Sequence, residues 1–259
     1  MWWIAVIGLL IVLSPSRVVA QGFSCDSVPP LAKLGETKET QLDSLLRRAI
    51  ACVRSRKPNL AIDHFSEMIS IDPGNENAYL NRANTYIQTG QLGLGIADLS
   101  YVISQKPSFV EAWYNRGIAF LAARQYERAT ADFSETLKLK PDFSRAYCNR
   151  GLALLRKGAY DRAFEDLNTG LKQDRTLILC QLARGDVYFH RGDYQKAVDD
   201  YSAGLAKKMD IEALSRRAEA YEKLGEHESA LADFKAVLKN APAHKGAVEG
   251  VARLTAKEE

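Results

Sequence analysis

Apolar and small residues recur through residues 42–242 at a nearly constant spacing. A small residue begins the second half of each repeat, and a large apolar residue follows four positions later, one helical turn on and on the same face. The small residues are Ala61, Gly95, Ala129, Ala163, Ala197 and Ala230, spaced by 34 residues and finally by 33, and the large residues are Phe65, Leu99, Phe133, Leu167, Tyr201 and Phe234. A period of this length is typical of a repeated helix-turn-helix unit. The pattern therefore predicts six pairs of α-helices.

Each predicted pair carries further residues that fit close helix packing and a defined end. A second small residue precedes the first by about one helix length, at Ala49, Ala83, Gly117, Gly151, Gly185 and Ala218. Small side chains allow two helix backbones to approach. Most pairs are followed by a proline, which cannot continue a helix, at Pro73, Pro107, Pro141 and Pro242. Glycines at Gly90, Gly192 and Gly225 indicate the turn inside a pair.

The segment 112–117, followed by Phe120, Ala129, Phe133 and Pro141, resembles the motif of the tetratricopeptide repeat (TPR) family. The resemblance implies an all-α fold, a right-handed α-solenoid with a concave groove lined by the first helix of each unit. We assign six units to residues 42–75, 76–109, 110–143, 144–177, 178–210 and 211–244. We expect residues 245–259 to form a capping helix that packs through Val248, Val251, Ala252 and Leu254.

The beginning of the chain differs from the repeats. Residues 2–13 are an unbroken apolar run, shorter than the roughly 20 residues that span a bilayer. Residues 18–20, just before Gln21, are small enough for cleavage by signal peptidase. We interpret residues 1–20 as a cleaved export signal, with an uncleaved anchor as the alternative. Residues 21–41 are predicted to be a linker or partly ordered arm. An exported chain would be periplasmic or secreted and would have no membrane span after cleavage.

Composition narrows the classes of partner. The formal net charge of +3 falls to +2 when Arg17 leaves with the signal, and basic and acidic residues alternate through the repeats. Nucleic-acid binding calls for a basic stripe with interleaved aromatic residues, which this pattern does not offer. We therefore expect a protein or peptide partner and no nucleic acid.

The four cysteines gain significance in an exported protein, because disulfides persist in oxidising compartments. Cys25 in the arm and Cys52 in the first helix could form a disulfide that ties the arm to the first unit. Cys148 and Cys180 lie in the first helices of neighbouring units and are a second candidate pair. Free buried thiols are the alternative for both pairs.

Arginine and aspartate recur together in five units. The pairs are Arg82 with Asp98, Arg116 with Asp132, Arg150 with Asp166, Arg184 with Asp200, and Arg217 with Asp233. An arginine on the first helix that faces a carboxylate on the second would join the pair of helices, so we interpret the series as a structural ladder. In the first unit Arg48 is present, but His64 stands where the aspartate is expected.

The resemblance also implies which positions of each first helix face the groove. Its sixth positions carry Asn81, Asn115 and Asn149, whose amides could hold the backbone of an extended peptide. We predict a peptide-binding groove from Asn81, Asn84, Tyr114, Asn115, Ile118, Arg145, Asn149 and Arg156. The alternative is that the asparagines only stabilise neighbouring helices.

Two variants of this site are less well supported by the residues. A carboxylate clamp of the kind found in chaperone-binding TPR domains would keep one of its three cations, Arg145. In the later units, Asp186, His190, Glu212, Glu219 and Glu222 predict an acidic groove of solvated side chains. Asp186 and His190 share a helix face but do not complete a zinc site, so we predict no metal.

The sequence offers no support for catalysis. It contains no paired-cysteine zinc motif, no phosphate-binding loop and no nucleophile with an identifiable base, and we predict no cofactor. We expect a non-catalytic scaffold that binds an extended polypeptide in its groove. The alternatives are a self-associating structural scaffold and an enzyme with a thiol site at Cys148 and Cys180. The sequence leaves the oligomeric state and the partner open.

Overall fold

The computed structural model describes Cys25 and residues 37–256, and these residues contain thirteen α-helices and no strand. The chain divides into two compact units, Met1–Lys140 and Pro141–Glu259. The predicted export signal, and the predicted arm apart from Cys25 and residues 37–41, lie outside the described residues. The all-α prediction is confirmed.

Unit 1 contains three helical hairpins, and each consists of an odd-numbered first helix and the even-numbered second helix that follows it. Its helices are α1 (Lys38–Arg54), α2 (Pro58–Ile71), α3 (Glu76–Gln88), α4 (Leu92–Gln105), α5 (Val110–Ala122) and α6 (Tyr126–Leu139). Unit 2 contains three more hairpins and a final single helix. Its helices are α7 (Ser144–Arg156), α8 (Tyr160–Gln173), α9 (Ile178–Arg191), α10 (Tyr194–Leu205), α11 (Ile211–Leu224), α12 (His227–Asn240) and α13 (Lys245–Thr255).

Capping side chains and prolines stand where several of the helices begin or end. The side chains of Thr37, Asn75 and Asp210 accept hydrogen bonds from backbone N–H groups in the first turns of α1, α3 and α11. Pro58 is the first residue of α2, where the missing N–H has no helical partner to lose. α4 and α6 end shortly before Pro107 and Pro141, in agreement with the role predicted for those prolines.

The turn inside each hairpin requires one residue with a positive φ angle. Glycine takes this position in four hairpins, with φ between 78° and 81° at Gly90, Gly158, Gly192 and Gly225. Arg56 and Arg124 adopt φ values of 57° and 58° in the other two. A left-handed conformation strains any residue that carries a β-carbon, so these two arginines are held there by the hairpin around them.

The two helices of a hairpin approach closely at the small residues. A β-carbon at Gly117 would lie 2.7 Å from the Phe133 ring, and one at Gly185 would lie 2.8 Å from the Tyr201 ring. Phe133 and Tyr201 are themselves fully buried. The glycines therefore make room for the aromatic residue of the partner helix, and the apolar stripe predicted from the sequence forms the core of each hairpin.

One boundary and one packing face differ from the prediction. α1 begins at Lys38 rather than at Leu42, because Thr37 caps a turn that had been assigned to the arm. α13 packs through Ala247, Gly250 and Leu254, and Val251 is partly buried against the same cluster as predicted. Val248 is 49% exposed and Ala252 is exposed as well, so these two residues do not pack as predicted. The Phe234 ring lies against Gly250, and this contact sets the rotation of the helix.

No helix in the described part of the chain is both long enough and apolar enough to cross a membrane.

Candidate protein-interaction surface

The side chains predicted to contact a peptide are buried in unit 1. Five residues of α3 and α5 belong to this set: Asn81, Asn84, Tyr114, Asn115 and Ile118. None of them is more than 2% exposed. Asn115 donates a hydrogen bond from Nδ2 to Oδ1 of Asn84 at 2.8 Å, and this bond joins α5 to α3. These five side chains are therefore internal to unit 1, and the accessible surface beside them belongs to other residues.

The three remaining residues of the predicted groove lie in unit 2 and differ in their exposure to solvent. Asn149 is buried on α7, like the asparagines of unit 1. Arg145 and Arg156 lie on the same helix and are exposed. The buried amides fit the alternative in which the asparagines stabilise neighbouring helices, whereas the two cations are accessible. Peptide binding by this set stays a prediction.

An open cavity lies between α1 and α3 in unit 1. It has a volume of about 120 Å³ and is lined by Ile50, Val53, Arg54, Phe65, Asn81, Asn84, Thr85 and Gln88. The apolar side chains come from α1 and α2, and the amides come from α3. Thr85 donates its hydroxyl hydrogen to the backbone oxygen of Asn81 at 2.8 Å. Arg54 and Gln88 are exposed and lie where the cavity meets solvent. We call this feature the α1–α3 cavity.

A half-buried acid, Asp186, lies on α9 in unit 2. Tyr201 donates its hydroxyl hydrogen to Oδ1 of Asp186 at 2.7 Å. Burial raises the pKa of Asp186, although the hydrogen bond from Tyr201 and the positive charges of Arg216 and Arg156 oppose the rise. Burial also raises the pKa of Tyr201, and the neighbouring Asp186 carboxylate raises it further. This pair joins α9 to α10 and is not exposed acidic surface.

The acidic groove predicted in the later repeats is a surface of ion pairs. Arg253 on α13 contacts Glu222 at 2.9 Å, and Arg216 contacts Glu219 at 3.3 Å. His244 lies 3.5 Å from Glu212. A cavity of about 410 Å³ is lined by Phe189, Glu219, Glu222, Lys223 and Arg253. The prediction omitted Arg253 because it lies on α13, outside the repeats from which the groove was derived, and it also omitted Arg216 on α11.

The arginine–aspartate ladder is present in all five predicted pairs. In each pair the arginine Nε lies 2.7 or 2.8 Å from Oδ2 of the aspartate, and Nη2 lies 2.7–3.0 Å from Oδ1. This is the bidentate arrangement that an arginine fork favours. The ladder therefore joins the two helices of each hairpin.

Four ladder arginines also contact the preceding hairpin. Their Nη1 atoms donate to side-chain oxygens at 2.8–3.0 Å, and the acceptors are Ser66 for Arg82, Ser100 for Arg116, Asn168 for Arg184, and Ser202 for Arg217. The sequence analysis missed these acceptors. The sequence does carry a signal for them, because each acceptor is a small polar residue two positions after the aspartate site of the preceding unit.

The first hairpin lacks the ladder aspartate. His64 takes that place on α2 and is half-buried. Burial lowers the pKa of His64, and the positive charge of Arg48 lowers it further, while Glu67 and Asp63 act in the opposite direction. The neutral imidazole is thus the form that this hairpin favours.

All four cysteines are paired. Cys25 is bonded to Cys52, with their Cα atoms 4.7 Å apart, and Cys148 is bonded to Cys180, with their Cα atoms 5.1 Å apart. The first disulfide attaches Cys25 to α1. The second joins the first helices α7 and α9 beside Gly170, where a β-carbon would approach the sulfur of Cys180.

The described residues contain no cluster of three or more histidine, cysteine, aspartate or glutamate side chains arranged to hold a metal ion.

The paired helices, the small residues between them and the ladder define an α-helical repeat protein. The tetratricopeptide repeat family matches residues 80–131, 116–176 and 182–245. The chain belongs to this family.

Solved structures share the fold at low sequence identity. The PilF structure of Pseudomonas aeruginosa has a TM-score of 0.73 at 17% identity and covers 84% of this chain and 100% of its own. A tetratricopeptide repeat protein from Parabacteroides merdae has a TM-score of 0.65 at 16% identity and covers 84% of this chain and 93% of its own. YrrB, described as a TPR protein with an unusual peptide-binding site, has a TM-score of 0.57 at 17% identity, with 71% and 96% coverage. No curated protein sequence matches the chain.

Proposed function

We propose that this protein is a non-catalytic scaffold that binds an extended polypeptide segment on the surface formed by its first helices. The observation that carries the proposal is the α1–α3 cavity, where buried apolar side chains and amides lie behind the exposed Arg54 and Gln88. Apolar floors with a few convergent polar groups are typical of peptide-binding sites. The structure similar to this chain that is described as having a peptide-binding site, YrrB, supports the same class of ligand.

The predicted peptide groove is revised accordingly. The buried asparagines position α3 and α5, and the peptide would lie over the accessible residues beside them. In unit 1 these are Arg54 and Gln88. The proposal thus places the accessible contacts of unit 1 on Arg54 and Gln88, with Asn81 and Asn84 at the inner wall of the cavity. Arg145 and Arg156 stay predicted contacts of unit 2 considered by itself.

We further propose that the protein is exported to a periplasmic or extracellular compartment. The apolar run at residues 2–13 and the small residues before Gln21 support an export signal. The two cysteine pairs support the same compartment, because structural disulfides persist where the environment is oxidising. Protein sequencing of the N-terminus after expression in the source cell tests the proposal, and a chain that keeps residue 1 would contradict signal cleavage.

Capture of partners with a blocked cavity tests the binding proposal. Gln88→Trp places a large side chain at the mouth of the α1–α3 cavity, whereas Gln105→Trp places the same side chain on the exposed end of α4. We expect the wild type and Gln105→Trp to capture the same polypeptide, and Gln88→Trp to lose it. Equal capture by all three proteins would remove the α1–α3 cavity from the proposal.

Self-association is a second candidate function, favoured by one observation. Val248 and Ala252 leave an exposed apolar strip on α13, which is the last described helix of the chain. Light scattering over a range of protein concentrations tests it. A mass that rises with concentration in the wild type but not in Val248→Asp would support association through α13.

A further inference from the structure

The α1–α3 cavity has a size that limits what it can hold. Its volume of about 120 Å³ is close to that of engineered apolar cavities of about 150 Å³ that bind benzene. A space of this size accepts one aliphatic side chain. Ile50, Val53 and Phe65 provide the apolar wall for such a side chain.

The polar residues of the same cavity fit the main chain of the ligand. The Gln88 amide is exposed at the cavity mouth and offers both a donor and an acceptor. An extended segment has main-chain N–H and C=O groups that are free to bond to such an amide, whereas a helical ligand has already used most of its own. The cavity therefore favours an extended ligand.

Arg54 sets the charge that the ligand should carry. It is the charged residue among the eight that line the cavity, and it is exposed at the end of α1. The turn that follows adds Arg56 and Lys57, so that three of the four residues from 54 to 57 are basic and none is acidic. Side chains two residues apart in an extended strand point to the same side. An acidic residue two positions from the aliphatic one would thus approach Arg54.

We infer that the α1–α3 cavity recognises an extended protein segment in which an aliphatic residue and a glutamate or aspartate stand two positions apart. This inference rests on the proposed function and adds the chemistry of the partner. The aliphatic side chain enters the cavity, the ligand main chain bonds to Gln88, and the acidic side chain pairs with Arg54.

Capped peptides test the inference directly on the whole protein. The probe is an acetylated and amidated peptide of glycine and serine that carries leucine and, two positions later, glutamate. Replacing its glutamate by glutamine should weaken binding about fivefold to tenfold, because a charge-assisted hydrogen bond is lost at a partly exposed site. Replacing its leucine by alanine should weaken binding about tenfold or more, because apolar contact area is lost.

Variants of the protein assign these preferences to residues. Arg54→Gln should remove the preference for glutamate over glutamine, whereas Arg56→Gln, which changes a cation outside the cavity lining, should keep it. Arg54→Glu should reverse the preference in favour of a peptide with lysine in place of glutamate. The binding constants are measured by fluorescence anisotropy, with circular dichroism showing that each variant keeps its helices.

The outcomes separate this inference from the proposed function. Selective binding that depends on Arg54 supports the inference. Binding of neutral or basic peptides that Gln88→Trp abolishes would overturn the acidic preference and leave the proposed peptide site in place. A capped peptide array in which no sequence binds would overturn both.

Discussion

The guanidinium of Arg116 donates two hydrogen bonds to the Asp132 carboxylate, from Nε to Oδ2 at 2.8 Å and from Nη2 to Oδ1 at 3.0 Å. It also donates from Nη1 to Ser100 Oγ at 3.0 Å, so one side chain joins α5, α6 and α4. Trp113 and Phe120 flank it, with ring centres 5.0 and 5.6 Å from the guanidinium carbon. The ladder thus connects hairpins to each other as well as the helices within each hairpin.

Charge reversal tests this pair. Burial raises the pKa of Asp132 despite its bonds to Arg116, so the carboxylate depends on its partner to remain charged. Arg116→Asp or Asp132→Arg alone should lower the free energy of unfolding by about 3 kcal/mol or more, because each leaves like charges in a buried site. The double reversal should restore part of the loss in urea denaturation.

An exposed pair on the same helix provides the control. Lys138 and Glu135 lie 3.3 Å apart on the surface of α6. Reversing either of them should change stability by about 0.5 kcal/mol or less, because surface ion pairs contribute little. Lack of rescue in the double reversal of Arg116 and Asp132 would show that the two residues do not act as a pair.

His64 makes the first hairpin sensitive to acid. Its folded-state pKa lies below the unfolded-state value of about 6.5, so the unfolded chain binds more protons between the two values. The free energy of unfolding should therefore fall as the pH decreases through this interval and become level below it. We expect the exchange of α1 and α2 amide hydrogens to become faster at about pH 5.5 than at about pH 7.5 after correction for intrinsic exchange.

Two substitutions at His64 separate titration from pairing. His64→Gln should remove the acid sensitivity without a gain at neutral pH. His64→Asp should supply the missing ladder carboxylate opposite Arg48 and raise stability by about 0.5 to 1 kcal/mol. Acid sensitivity that persists in His64→Gln would assign it to another group.

Arg124 occupies the left-handed turn position that glycine takes in four hairpins, with a φ of 58°. Arg124→Gly should raise the free energy of unfolding by about 0.5 to 1 kcal/mol, because strain relief exceeds the added backbone entropy of the unfolded chain. The converse change, Gly158→Ala, should lower stability by about 1 kcal/mol. No atom lies near a β-carbon at Gly158, so that loss would report backbone strain alone. A loss of stability in Arg124→Gly would contradict the strain assigned here.

The Cys25–Cys52 disulfide closes a loop with a sequence separation of 27. A loop of this size is expected to contribute about 3 to 4 kcal/mol by restricting the unfolded chain. Cys25→Ser should therefore destabilise the first hairpin, with faster hydrogen exchange in α1 and α2. Exchange in α11 and α12 of the same sample serves as the internal reference, and equal exchange in the first hairpin of both proteins would contradict the contribution.

The orientation of the asparagine side chains on the first helices is a feature that the sequence pattern did not predict. The sixth-position asparagines were correctly identified as a recurrent feature, but Asn115 bonds to Asn84 and is buried with it. Whether an amide faces a ligand or a neighbouring helix depends on the rotation of both helices, which a periodic pattern does not specify. The same reason explains Glu222, whose partner Arg253 lies 31 residues further along the chain.

The sequence by itself determined the helical hairpins, because the spacing of Gly117, Ala129 and Phe133 places small and large residues on one face at a helical period. It also indicated Arg116 with Asp132, because each recurs in step with the repeat. Only the tertiary structure decided that Asn115 is internal, that α13 turns Val248 outward, and that Arg54 shares a cavity with Ile50 and Gln88. Periodicity constrains the faces within one helix, whereas burial and charge pairing depend on how side chains from several helices fill the same space.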